Sequence, residues 1–96
     1  MGSAFAPSAV VRRVQSAISE RIVSETLVLE PYTDRYVWLN ETGARLWELL
    51  ERPVAVEELS AALVRDWGLA SERAQRDVSV FLEALAERGL VELARP

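Results

Sequence analysis

Apolar positions follow two different rhythms along this chain, and the change of rhythm divides it. Up to about residue 39 they alternate or run in short β-branched groups. Beyond it they return every three or four residues, as on one face of an α-helix. Ala9-Val10-Val11-Arg12-Arg13-Val14 reads as a strand at the edge of a sheet. Gln15 to Glu25 is ambiguous: Ile18, Ile22 and Val23 fit either a short helix or a continued strand, and the strand is the preferred reading. Thr26-Leu27-Val28-Leu29-Glu30 is a clearer strand. In the turn that follows, Pro31 presets φ and Asp34 bonds locally. Tyr36 to Leu39 then returns as the second arm of a hairpin.

The second half predicts three helices. Asn40 or Thr42 can cap the first. Gly43, Leu46, Trp47 and Leu50 share one face of it, and Pro53 ends it by disfavouring the α conformation at Arg52. The second runs from Val56 to Trp67, with Val56, Leu59, Leu63 and Trp67 along one face and Gly68 as a left-handed stop. Ser71 is expected to cap a third helix, whose core stripe is Ala74, Val78, Phe81, Leu82 and Leu85. Gly89 stops it, and Leu90-Val91-Glu92-Leu93 follows as a short apolar tail. Trp47 and Trp67 are both expected in the core. Strands followed by three helices, the last two joined by a short turn, give an α+β fold of winged helix-turn-helix type: a three-stranded antiparallel sheet followed by three helices. Residues 1–8 read as a disordered lead-in and 9–96 as a single domain. A chain of 96 residues buries roughly 60–65% of its unfolded surface, enough for one modest core but not for a core and a roomy catalytic cleft together.

Composition narrows the chemistry. The chain has no Cys and no His, which removes thiol nucleophiles, thiolate metal sites, the Ser-His-Asp arrangement and the commonest metal ligand. Glu57 and Glu58 are neighbours and diverge on a helix. Glu83 and Glu87 share a face but read as solvated surface near Arg76 and Arg88. The four glycines stand singly, so no phosphate loop is present. No catalytic residue, metal or cofactor is therefore expected. The net charge is −4. The third helix sets Arg73, Arg76 and Arg88 against Glu72, Asp77, Glu83 and Glu87, a balance that phosphates repel. A winged-helix transcription regulator remains the alternative from a different class, but nucleic acid is not the expected partner. No uncharged stretch approaches about 20 residues, and no basic segment precedes an apolar run. Ala6 stands where myristoylation needs Ser or Thr. No membrane association is expected, and a cytoplasmic location is.

Two features suggest recognition. On a strand Val37 and Leu39 point one way and Tyr36 and Trp38 the other. The aromatic pair is then either a second cluster against the first strand and the N-terminal segment or an anchor for a partner. On the third helix, Val80 and Ala84 stand beside the core stripe, bordered by Arg73, Asp77 and Arg88. They read either as a groove floor or as tolerated surface.

The run Tyr36-Val37-Trp38-Leu39-Asn40-Glu41-Thr42-Gly43-Ala44-Arg45-Leu46-Trp47 resembles the PqqD-like proteins, or RiPP recognition elements, in its aromatic strand, Leu-Asn junction and Gly-containing first helix. The likeness continues through Val56-Glu57-Glu58-Leu59 and Leu63. It closes on Phe81-Leu82-Glu83-Ala84-Leu85-Ala86-Glu87-Arg88-Gly89-Leu90. It implies a sheet of three strands on three helices and a leader peptide that adds a strand beside the third strand, in a cleft against the third helix. Strand contacts would come from Tyr36, Val37, Trp38 and Leu39. Helix contacts would come from Asp77, Val80, Phe81, Ala84 and Arg88, with Asp77 and Arg88 selecting charges. It further implies a non-catalytic partner for a separate leader peptidase, as in lasso-peptide pathways, or for a peptide-modifying enzyme such as a radical-SAM enzyme. The open strand edge also allows a homodimer. One departure is the hairpin turn: the family often carries Gly before the aromatic strand, and here the turn is Thr33-Asp34-Arg35. That leaves the hairpin register and the face of Trp38 open.

Overall fold

The computed structural model of the protein describes residues 5–23 and 25–94. Its elements are β1 (Val10–Arg13), β2 (Ile18–Ile22), β3 (Glu25–Glu30), β4 (Arg35–Leu39), α1 (Glu41–Leu49), β5 (Val54–Ala55), α2 (Val56–Trp67), α3 (Ser71–Glu87) and β6 (Val91–Leu93). The fold is α+β. An antiparallel sheet in the order β2-β3-β4 precedes the three helices, and a second sheet has the order β5-β1-β6.

The strand at Val10–Arg13 is therefore not an edge of the hairpin sheet. It is the middle strand of the second sheet, where Val11 pairs with both Val54 and Leu93. Val11 is wholly buried, so the β-branched run is explained by pairing on both sides, with partners far away in sequence. The apolar tail is strand β6 for the same reason. The third strand of the hairpin sheet comes from the ambiguous stretch: Ile18–Ile22 pairs along its whole length with Glu25–Leu29. The expected lead-in also ends earlier than Ser8. Phe5 is buried in the core, and the carbonyls of Pro7 and Ala9 accept the amides of Glu57 and Val56, each at 2.9 Å. These two carbonyls stand in for a side-chain cap, which α2 lacks. Residues 1–4 lie outside the described residues.

The core lies between β3–β4 and the helices. Thr26, Val28 and Glu30 on β3 are buried, and they pair with Leu39, Val37 and Arg35 on the same, helix-facing side of the sheet. Leu46, Trp47 and Leu50 around α1, Leu59 and Leu63 on α2, and Val78, Leu82 and Leu85 on α3 complete it. Each such leucine contributes about 2 kcal/mol by leaving water. Trp47 lies in this core as expected, stacked under the Arg13 guanidinium at 4.3 Å. Trp67 does not: it ends α2 beside the Gly68 cap at 36% exposure. Asn40 caps α1, its Oδ1 accepting the Gly43 amide at 2.9 Å. Gly68 is left-handed, with φ 66°. Ser71 is the first residue of α3, not its cap. Ala70 holds the cap position and provides no side-chain acceptor.

The β3–β4 turn finds a substitute for glycine. Asp34 takes the left-handed conformation, with φ 57°, which Asp tolerates better than most residues. The Glu30 carboxylate holds the turn by accepting the Thr33 amide and the Thr33 hydroxyl, each at 3.0 Å. The register that results is Leu27↔Trp38, Val28↔Val37 and Leu29↔Tyr36.

Candidate functional site

Strand β4 is paired with β3 along one edge. Its other edge has no strand partner among the described residues, and it runs beside α3. Arg35, at the start of the strand, donates from Nη1 to the Glu87 carbonyl at the end of α3, at 2.7 Å. At the far end, a Cβ placed on Gly43 would meet Phe81 Cε1 at 3.5 Å and Asn40 Oδ1 at 3.3 Å. The absence of a side chain at Gly43 thus lets the start of α1 approach α3. Strand and helix run in opposite directions and form the two walls of a groove.

Two cavities lie along it. The larger, of about 530 Å³, has an apolar floor of Gly43, Leu46, Leu63, Trp67, Leu69 and Phe81. Asn40, Thr42, Arg73, Asp77 and Val80 complete its lining. Arg73 and Asp77 face each other at 3.7 Å one turn apart on α3. The smaller, of about 360 Å³, is lined by Asp34, Arg35, Tyr36, Glu87 and Arg88. A further cavity of about 500 Å³ lies under Phe5, Ala6 and Pro7 against α2 and α3, and none of the expected site residues lines it.

The expected contact residues divide accordingly. Asp77, Val80 and Phe81 line the larger cavity, and Tyr36 and Arg88 the smaller. Val80 is 62% exposed on the groove wall. Phe81 is half-buried, one edge in the core and one in the groove. Ala84 lies one turn from each of Val80 and Arg88, and its carbonyl accepts from Arg88 Nη1 at 3.0 Å. Val37 packs against the core from the helix-facing side of β4. Leu39 is buried, so that position offers backbone groups rather than a side chain. Tyr36 and Trp38 are 59% and 50% exposed. They stand on the opposite face of the sheet, in rows with Leu29 and Ile18 and with Leu27 and Glu20. They do not pack on β1, which belongs to the other sheet. Arg35 and Trp67 are site residues that the sequence reading missed. The in-out alternation of Arg35, Val37 and Leu39 was the available signal for the first.

No group of three or more His, Cys, Asp or Glu able to hold a metal occurs among the described residues. The arrangement can hold an extended chain. The outer backbone edge of β4 can supply hydrogen bonds to it, and the two cavities have room for alternate side chains. No helix among the described residues is long and apolar enough to cross a membrane.

Known structures share this fold. The structure of the TbiB1 protein in complex with the TbiA(beta) leader peptide is similar at 29% identity and a TM-score of 0.78, covering 88% of this chain and 99% of that one. The lasso peptide synthetase B1 complexed with its leader peptide gives 18% identity and a TM-score of 0.75, over 85% of this chain and 96% of that one. The PqqD truncation of Methylobacterium extorquens PqqCD, a stand-alone RiPP recognition element, gives 18% identity and a TM-score of 0.77, over 94% and 96%. No curated protein sequence matches. The sequence profile of the family described as coenzyme PQQ synthesis protein D matches residues 25–91, from the first residue of β3 to the first of β6, and the chain belongs to the PqqD family.

Proposed function

We propose that this protein is a non-catalytic recognition element that binds the leader segment of a ribosomally made precursor peptide by adding it as a strand to β4. The observation that carries the reading is the edge of β4, without a strand partner among the described residues, facing Val80 and Phe81 on α3 across an open cavity. An open five-residue edge is normally an aggregation liability, and retaining one beside a groove suits a strand acceptor. The similarity to two proteins held in complexes with leader peptides supports the same reading.

The cytoplasm, where such a precursor is made, is the compartment this role requires. Binding there raises the local concentration of precursor at a partner enzyme, a leader peptidase of lasso type or another peptide-modifying enzyme. We assign the outer sheet face to that enzyme. Ile18, Ile22, Leu27 and Leu29 continue the Tyr36–Trp38 pair across the sheet, and Ile18 and Ile22 are exposed. An added strand would widen this face. A second copy of the protein on the same β4 edge would compete with the peptide.

The test is fluorescence polarisation of a labelled leader peptide from the adjacent precursor gene, titrated with this protein. One-to-one saturation that survives moderate salt is expected. No binding at high micromolar protein would sink the reading. In an assay with the partner enzyme, Ile18→Asp should leave peptide affinity intact and slow processing. Unchanged processing would remove the enzyme from that face.

A further inference from the structure

The smaller cavity at the start of β4 holds two cations, Arg35 and Arg88. Arg12, Arg21, Arg45, Arg65 and Arg73 each form an ion pair with a carboxylate. Arg35 and Arg88 form none among the described residues, although Asp34 and Glu87 line the same cleft. Each instead uses one donor to satisfy a carbonyl of the last turn of α3: Glu87 O for Arg35 at 2.7 Å, and Ala84 O for Arg88 at 3.0 Å. These bonds fix both guanidiniums at the end of the groove, against the negative end of a 17-residue helix. A guanidinium has five N–H donors, so most of the donor capacity of the pair remains available. The helix carbonyls thus position the two forks without consuming them.

We infer that Arg35 and Arg88 form a subsite for a carboxylate side chain, Asp or Glu, of the bound peptide. The inference rests on the groove reading above and names what one end of the groove selects. A strand laid along β4 points every second side chain toward the helices. The inward side chain nearest Arg35 therefore meets both guanidiniums, and a carboxylate accepts from such forks with the strongest protein hydrogen bonds. The inward side chain about four residues away, roughly 13 Å along the strand, falls beside Leu39 and Asn40, at the apolar cavity. The peptide that fits carries an acid and a bulky apolar residue on one face, an even number of positions apart.

A double-mutant cycle tests this. The probe is the fluorescein-labelled leader peptide of the adjacent precursor gene, with each Asp and Glu replaced singly by Ala and then by Lys. It is titrated against the wild type, Arg35→Gln, Arg88→Gln and Arg88→Glu. One acidic position should lose about tenfold in affinity on replacement by Ala, as expected for a charge-assisted hydrogen bond. The same replacement should have little effect in either Gln variant, and Lys at that position should restore binding to Arg88→Glu. Circular dichroism of each variant separates this from loss of fold. If the wild type binds the peptide but every acidic replacement acts equally on wild type and variants, the subsite is wrong while the groove stands. If the unaltered peptide does not bind, the groove reading falls and the subsite with it.

Discussion

In the sheet β5-β1-β6 the middle strand is bonded on both sides, Val11 is wholly buried, and the flanking strands are only two and three residues long. In β2-β3-β4 both flanking strands run five residues with an outer edge that no strand pairs among the described residues, and their outward side chains are exposed. Short edges are a common way of preventing unwanted pairing, and only the first sheet uses it. The protein thus places stability in one sheet and availability in the other. Substitutions in the two should therefore separate loss of fold from loss of binding.

The largest effect is expected from Val11→Asp. It buries an unpaired charge with no donor to solvate it and should cost at least about 4 kcal/mol. A denaturant titration should find the variant largely unfolded. A native-like midpoint would show that the closed sheet does not carry the fold. Trp38→Ala should act the other way round, because Trp38 lies on the edge strand itself and an outward side chain of the added strand would sit beside its ring. Peptide affinity should fall about thirtyfold, or roughly 2 kcal/mol, while the melting temperature moves by less than about 3 °C. A collapse in stability would place Trp38 in a structural role and remove it from the site.

Two smaller effects sharpen the contrast by improving or titrating the open sheet. Val23 is β-branched, 89% exposed and left-handed, with φ 59°. Val23→Gly should stabilise by about 1 kcal/mol by relieving that conformation, with peptide affinity unchanged, as thermal unfolding and a binding titration would show. Glu30 is held below the usual carboxylate range, first by the Ser16 hydroxyl and then by the turn at Tyr32 and Thr33, against the opposing effect of desolvation. Its pKa is lower folded than unfolded, so its contribution is complete at neutral pH. That contribution fades as the pH falls below the ordinary carboxylate range and through the folded value. Wild type should lose stability there, and Glu30→Gln should be less stable at neutral pH with a flatter acid limb. Parallel limbs for the two proteins would show that the carboxylate does not hold the turn.

The helices were legible because their signals are local. The three- and four-residue spacing of Leu46, Trp47 and Leu50, the Asn40 cap and the Gly68 stop all lie within the segments they define. The alternation of Tyr36, Val37, Trp38 and Leu39 likewise revealed β4, whereas the face of Trp38 follows only from the register of the hairpin. Strand β2 was obscure because a tight hairpin connection usually carries Asn-Gly or Asp-Gly, and the sequence between Ile22 and Glu25 contains neither. The second sheet was hidden by distance. Arg12 pairs with Glu92, and nothing near either residue announces the other. The site shows the same division. Val80 was readable from the helix flank, whereas Arg35 looked like a turn residue because its partner is a backbone carbonyl 52 positions away. The cap on α2 had no sequence signature, since backbone carbonyls provide it.

The pairing of β1 with β6 also determines how the protein responds to force. Val11 lies opposite Leu93 and Arg13 opposite Val91, and the Ala94 amide bonds to the Val10 carbonyl at 2.8 Å. The points where the chain enters β1 and leaves β6 therefore lie at the same end of one antiparallel ladder. Tension applied through the flanking segments would peel that ladder apart one hydrogen bond at a time, the weak direction, instead of shearing all its bonds together. The load would never pass through β4 or its groove, so a molecule tethered by both ends should keep its binding edge intact until the β1–β6 pair has opened.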